Sequence, residues 1–133
     1  MIQSLSLTKE QLQQMIDHVD AWAPLEACGL LAGLNSKVEL VIEVANQARS
    51  EVRFEMEPIG QWKAFEQIES SGLELLGIFH SHPAGPATVS PTDIAESAYD
   101  VVHVILSPVG GLWRARGFWI EGGSYNEVPL QIL

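Results

Sequence analysis

Residues 75–98 read LLGIFHSHPAGPATVSPTDIAESA, and the arrangement of the whole chain follows from them. An apolar run, Leu75 to Phe79, leads directly into His80-Ser81-His82-Pro83. The next residues, to Val89, include a second proline and a glycine, and a helix start opens at Ser90. Ser at the N-cap, Pro91 at the first helical position and an acid, Asp93, at the third are a standard way to begin a helix. On a strand, residues i and i+2 point to one side about 6.5 to 7 Å apart. The strand therefore presents His80 and His82 together, and the short connection brings Asp93 back toward them.

Upstream of this stretch, Leu5-Ser6-Leu7 alternates as a short first strand, and Thr8 with Gln11 forms a capping box. Leu12, Met15, Ile16, Val19 and Trp22 recur at helical spacing and predict an amphipathic helix over 9–22. His18, among polar neighbours in that helix, reads as solvated. Pro24 ends the helix. A small-residue strand follows from Glu26 to Gly33, with a turn at Asn35-Ser36 and an antiparallel return over 38–45 that turns Glu39 and Glu43 outward. Residues 46–53 read as a mobile loop and Phe54-Glu55-Met56 as a short strand. Ile59, Trp62, Phe65 and Ile68 predict a second helix from Pro58 to about residue 70, closed by Ser71-Gly72.

Downstream, 101–106 is a continuous apolar strand with His103 as a buried, hydrogen-bonded core residue. Residues 107–111 turn, 112–120 alternate as another strand, and 128–132 form the last. This succession mixes long crossovers with hairpins. The expected fold is α/β: one domain over 1–133, a mixed β-sheet flanked by helices. No repeat, low-complexity tract or linker interrupts it.

At 133 residues and 47% hydrophobic, the chain has enough apolar surface for one core. A net charge of −10, with only seven basic residues, leaves no basic patch for nucleic acid. The single cysteine, Cys28, rules out an internal disulfide and fits a reducing, cytoplasmic compartment. The N-terminus lacks signal-peptide character and no run reaches the roughly 18 residues of a membrane span, so no membrane association is expected.

Two imidazoles and one carboxylate give zinc three protein ligands and leave a fourth position for water, the pattern of a catalytic site. Zinc lowers the pKa of a water it binds from about 16 toward 7. Amide hydrolysis further needs a base and an oxyanion donor, and Glu26 and Ser90 are available. Taken singly, each is also explained by structure: Glu26 as a strand-end acid, Ser90 and Asp93 as a helix start.

The sequence Glu26 in Glu-Ala-Cys-Gly-Leu-Leu-Ala-Gly, then His80-x-His82-Pro83, six residues, and Ser90-x-x-Asp93 resembles the JAMM (MPN-plus) metalloprotease signature without a gap. Phe54-Glu55-Met56 and Leu76-Gly77-Ile78-Phe79 also look like this family, so the likeness runs from about Leu25 to Leu106. It implies a cytidine-deaminase-like fold and a zinc isopeptidase or peptidase. His80, His82 and Asp93 would hold Zn2+, Glu26 would act as general base, and Ser90 would steady the tetrahedral intermediate. The chain resembles compact prokaryotic members. The implied partner is a ubiquitin-like or sulfur-carrier protein ending in Gly-Gly, cleaved from a lysine, a peptide or a single amino acid. Its tail would pair near residues 45–56.

A non-catalytic MPN-type interaction module, with a structural or vacant metal site, is the alternative. A DNA-repair branch carrying H-N-H-P-S-G is disfavoured by Ser81, Ala84 and the acidic charge. Cys28, two residues from Glu26, reads as a small buried hydrophobe, or else as a thiol able to shut off the site. Trp113 and Trp119 could mark a homodimer surface, and core packing explains them equally well.

Overall fold

The structure, a computed structural model, describes residues 2–133. Its spine is an eight-stranded sheet with β1 (Leu5–Leu7), β2 (Cys28–Leu34), β3 (Lys37–Val44), β4 (Glu74–Ser81), β5 (Val102–Val109), β6 (Leu112–Glu121), β7 (Ser124–Val128) and β8 (Leu130–Ile132). The strand order is β7-β6-β5-β4-β2-β3-β1-β8. β4 runs parallel to β5, and β1 runs parallel to both β3 and β8, while the other pairs are antiparallel. The sheet is thus mixed, as expected. Its two end strands, β7 and β8, are separated in sequence by Pro129 alone, so the sheet must curl until its edges nearly meet.

Three helices cover it: α1 (Lys9–Trp22), α2 (Pro58–Ser70) and α3 (Pro91–Glu96). Met15 and Val19 of α1 join residues from β1 through β7 in the largest core cluster, so α1 fills the concave side. Ala64 and Ile68 of α2 pack on the opposite face with Leu30, Val44 and Ile78. Ile94 of α3 packs on Val89, Ile105 and Phe118. No helix among the described residues is long and apolar enough to cross a membrane.

The small residues of β2 let it sit between β4 and β3. A Cβ at Gly29 would run into the Phe79 ring and the Ile42 carbonyl. The β2–β3 turn places Asn35 and Ser36 at φ of 52° and 61°, the left-handed conformation that a two-residue hairpin turn requires.

Several expectations change. His18 is not solvated: it is 8% exposed, its Nε2 lies 3.0 Å from the Cys28 carbonyl, and its Nδ1 lies 3.1 Å from Glu43. The polar residues around it in sequence lie elsewhere on the helix. Phe54-Glu55-Met56 is not a strand: only Met56 pairs, in an isolated bridge with Asn46. Of the apolar residues counted toward α2, Ile68 is buried while Ile59 and Trp62 are exposed, Trp62 to 61%. β5 continues through Val109, so Gly110-Gly111 alone makes the turn. The last strand is two, split at Pro129, which has no N–H for a sheet ladder. Trp119 is buried in the concave core, and Trp113 packs against it while its Nε1 donates to Asp20 at 3.0 Å. Core packing accounts for both tryptophans.

Candidate metal and catalytic site

β4 delivers His80 from the middle of the sheet, opposite Cys28 on β2 and Ile105 on β5. Pairing continues one step past the strand and holds His82 as well. The Ser81 amide donates to the Ala27 carbonyl at 3.0 Å and the His82 amide to the Leu106 carbonyl at 2.8 Å. The Ser81 hydroxyl accepts from the Ala27 amide at 2.8 Å, tying this corner to the residue after Glu26. The two imidazoles lean together until their Nε2 atoms are 3.1 Å apart. The Phe54 ring stacks on His80 at 4.6 Å between centroids.

Asp93 completes a triangle. Its Oδ1 lies 3.0 Å from His80 Nε2 and its Oδ2 lies 3.2 Å from His82 Nε2. It also accepts from the Ser90 amide at 2.9 Å, while the Ser90 hydroxyl accepts from the Asp93 amide at 3.1 Å. This capping box fixes both ends of α3's first turn, so Asp93 is a helix start and a member of the cluster at once. The Ser90 oxygen is turned onto that amide. In this arrangement the oxygen caps α3, and the hydroxyl hydrogen is what remains for the expected role toward the reacting position.

Glu26, just before β2, is 2% exposed, and its Oε1 has no hydrogen-bond partner. Glu26, His80 and His82 each offer a ligand atom, all within 4.8 Å of one another. Asp93 lies against both nitrogens, at 3.0 and 3.2 Å, and is taken as the third donor. Glu26 then stands beside the triangle.

The charges of these groups follow from burial and contact. Burial pushes the Glu26 carboxyl up to about 8; His82 opposes this, and Asp93 and Glu96 add to it. Burial would also raise Asp93, but hydrogen bonds from His80 and His82 hold it well below the usual carboxylate range. Burial lowers His80, against the pull of Asp93. In His82 burial is outweighed by Asp93 and by the bond to the Pro86 carbonyl, and the ring is raised. That bond, 3.0 Å from Nδ1, places a hydrogen on Nδ1 and leaves Nε2 facing the triangle.

The donor set suits a metal ion. Three N and O donors at about 2.0 to 2.2 Å around a tetrahedral ion lie roughly 3.3 to 3.5 Å from one another. The Nε2–Nε2 edge, 3.1 Å, is near that figure, and Asp93 faces the two nitrogens with one oxygen each, at 3.0 and 3.2 Å, so either oxygen is at hand as the third donor. A cation in the triangle would also provide charge compensation for the unpartnered Glu26 oxygen.

A cleft of about 400 Å³ opens at the cluster. Residues 53–56 form one wall and Ser97 to Tyr99 the other, and His80, Asp93 and His103 also line it. Arg53 reaches across to Glu96 at 3.2 Å. His103 is buried as expected, with its Nε2 3.4 Å from the Ser97 hydroxyl, so it pins the second wall. Cys28 is fully buried, its thiol donates to the Val44 carbonyl, and burial pushes it up to about 12. A thiol held protonated is unreactive, which favours its reading as a small core residue.

Sequence reading missed Asn46, which is 1% exposed and hydrogen-bonded on every side. An asparagine after a strand looks like a turn residue, and only the fold shows it lying alongside Glu26.

Residues 8–119 match the family model described as prokaryotic homologs of the JAB domain. The chain belongs to this family. It is 38% identical over 123 residues to a probable TtuB-protein conjugate cleaving protease of Thermus thermophilus, covering 92% of this chain and 78% of that protein. A desampylase of Pyrococcus furiosus is 38% identical over 111 residues, 81% of this chain and 76% of the relative. A CysO-cysteine peptidase of Mycobacterium tuberculosis is 27% identical over 133 residues, 97% of this chain and 91% of the relative. In structure, the JAB-domain chain resembles a Desulfitobacterium hafniense protein solved in solution, with a TM-score of 0.87 and 31% identity, over 97% of this chain and 92% of that one.

Proposed function

We propose that this JAB-family chain is a zinc-dependent hydrolase that cleaves the peptide or isopeptide bond after the terminal Gly-Gly of a ubiquitin-like or sulfur-carrier protein. The observation that carries the reading is the meeting of three metal-type donors with a buried, unpartnered glutamate, beside a cleft that His80 and Asp93 line. The names of the relatives support a hydrolase acting on such conjugates. His80, His82 and Asp93 would hold the ion. What zinc supplies when bound is Lewis-acid activation of water near neutral pH.

The chain's own groups do the rest. Glu26 takes the proton from the attacking water as its oxygen adds to the glycine carbonyl carbon. It then returns that proton to the leaving nitrogen as the C–N bond breaks. Without an ion, burial holds this carboxyl protonated up to about 8, and a cation in the triangle would favour the carboxylate that accepts the proton. Ser90 seats Asp93, and the hydrogen of its hydroxyl, which no acceptor among the described residues takes, remains for the developing oxyanion.

The substrate tail has a place to pair. In the Asn46–Met56 bridge, the Gln47 amide donates to the Glu55 carbonyl and the Glu57 amide to the Ala45 carbonyl. By strand alternation Phe54 and Met56, which both line the cleft, turn their N–H and C=O groups away from residues 45–47. An extended tail can add there as a strand, and the narrow passage between the walls favours residues without Cβ atoms.

The test uses TtuB fused through a Gly-Gly tail to a reporter protein, alongside the same tail ending in a single cysteine. Cleavage of either that stops on chelation and returns with zinc is expected. Glu26→Gln should keep the metal and lose turnover, whereas His80→Ala and Asp93→Ala should lose the metal. Full activity in metal-free protein would overturn the reading. Tail binding without cleavage of any Gly-Gly substrate would favour the interaction module.

A further inference from the structure

We infer that Asn46 is a positioning residue that locks the base Glu26 to the strand edge on which the substrate tail lies. The inference rests on the catalytic reading above. In register, β3 runs antiparallel to β2 with Val44 opposite Cys28, so two residues further on Asn46 stands alongside Glu26. Its side chain is buried and makes four hydrogen bonds. Nδ2 donates to the Glu26 carbonyl at 3.0 Å and to the Arg53 carbonyl at 3.2 Å. Oδ1 accepts from the Ala48 amide at 3.0 Å and from the Glu55 amide at 2.9 Å.

A primary amide is the group that meets this set, with two donors and an acceptor able to take two bonds on one short planar arm. Aspartate of the same shape has the acceptors without the donors, and serine has one donor on a shorter reach. Arg53 and Glu55 flank Phe54, whose ring lies on His80 and which lines the cleft. One side chain therefore spans the base, the loop 46–53 and the tail-binding edge. The Glu26 amide, which donates to the Ser50 carbonyl at 2.8 Å, ties Glu26 to the same loop a second time. Movement of the edge and movement of Glu26 are thus coupled through Asn46.

The substitution that separates the two halves is Asn46→Asp, which keeps the acceptors toward Ala48 and Glu55 and sets a carboxylate against the Glu26 and Arg53 carbonyls. On the TtuB fusion, the zinc-loaded variant should lose at least tenfold in kcat. Its KM should stay within about threefold of wild type, and its metal content should not change. Asn46→Ser provides a second variant with the donors reduced, and it should lose kcat as well. Gln13→Ala, which removes only a surface bond to Asp17 on α1, should behave as wild type. Wild-type kcat in either folded Asn46 variant, with only the melting temperature lowered, would overturn the inference. Amide hydrogen exchange gives a readout independent of turnover. In Asn46→Ser the amides of Ala48, Glu55 and Glu26 should lose protection together. Loss confined to Ala48 and Glu55 would mean a local structural role. A wild-type protein that cleaves no substrate would fail the catalytic reading, and exchange would still decide the coupling.

Discussion

His103 shows how one buried side chain can make stability depend on pH. Burial lowers its pKa to about 4, with His80 pushing the same way and Asp93 and the Tyr99 backbone opposing. The unfolded chain therefore binds this proton more readily than the folded one. The stability it protects is present above about pH 6.5 and is lost as pH falls through about 4, amounting to about 3 kcal/mol. Glu26 has the opposite slope, because its raised pKa makes the folded, metal-free protein lose stability as pH rises from about 4.5 to about 8. Urea unfolding of wild type and His103→Gln at matched pH separates the two. The variant should show a clearly smaller loss between pH 6.5 and 4, and an unchanged loss would assign the slope elsewhere. At the same scale, a protonated and enclosed Cys28 should resist thiol reagents in the folded state. Oxidant inhibition that Cys28→Ser abolishes would restore the thiol switch.

α3 is six residues long, too short to persist without its cap and its packing on Val89 and Phe118. Ser90 and Asp93 hold its first turn, and Asp93 carries the turn into the cluster. Ser90→Ala should cost about 1 kcal/mol of stability. It should also weaken metal binding, because the Asp93 amide then lacks its acceptor and the carboxylate is less firmly aimed. Ser90→Thr keeps the cap and should keep both. Calorimetric titration with zinc beside turnover assays distinguishes the roles: full metal affinity with lost turnover in Ser90→Ala would place the hydroxyl in the reaction, with the cap secondary. β2 gives a second element-scale expectation. Gly29→Ala should cost about 1 to 3 kcal/mol, since Phe79 and the β3 backbone cannot both withdraw. Denaturation midpoints would measure it.

The sheet curls until β7 and β8 are joined through Pro129, and it brings residues from four separate segments to one point: Glu26, Asn46, His80 with His82, and Asp93. A metal bound there holds two stretches of chain to one another and should stabilise the whole fold. With zinc at about 100 times its dissociation constant, linkage gives about 2.7 kcal/mol, a rise of roughly 10 °C in melting temperature for a chain of this size. The rise should shrink below about pH 6, because protons compete for the two imidazole nitrogens. An equal melting temperature with zinc and with chelator at pH 7.5 would count against a metal site.

The spacing of His80, His82, Ser90 and Asp93 is local in sequence, and a strand, a short loop and a capped helix start are sufficient to bring those residues together. That part was legible because it depends on neighbours in the chain. The helices, most strands and the mixed sheet follow from periodicity for the same reason. His18, Trp62, Pro129 and Asn46 were not legible. The inward or outward position of His18 and Trp62 is set by which helix face meets the sheet. The closure at Pro129 depends on a pairing with β1 more than a hundred residues away in sequence. The role of Asn46 depends on the register of β3 against β2. Local sequence chose the chemical groups; the long-range pairing of strands decided which of them share a site.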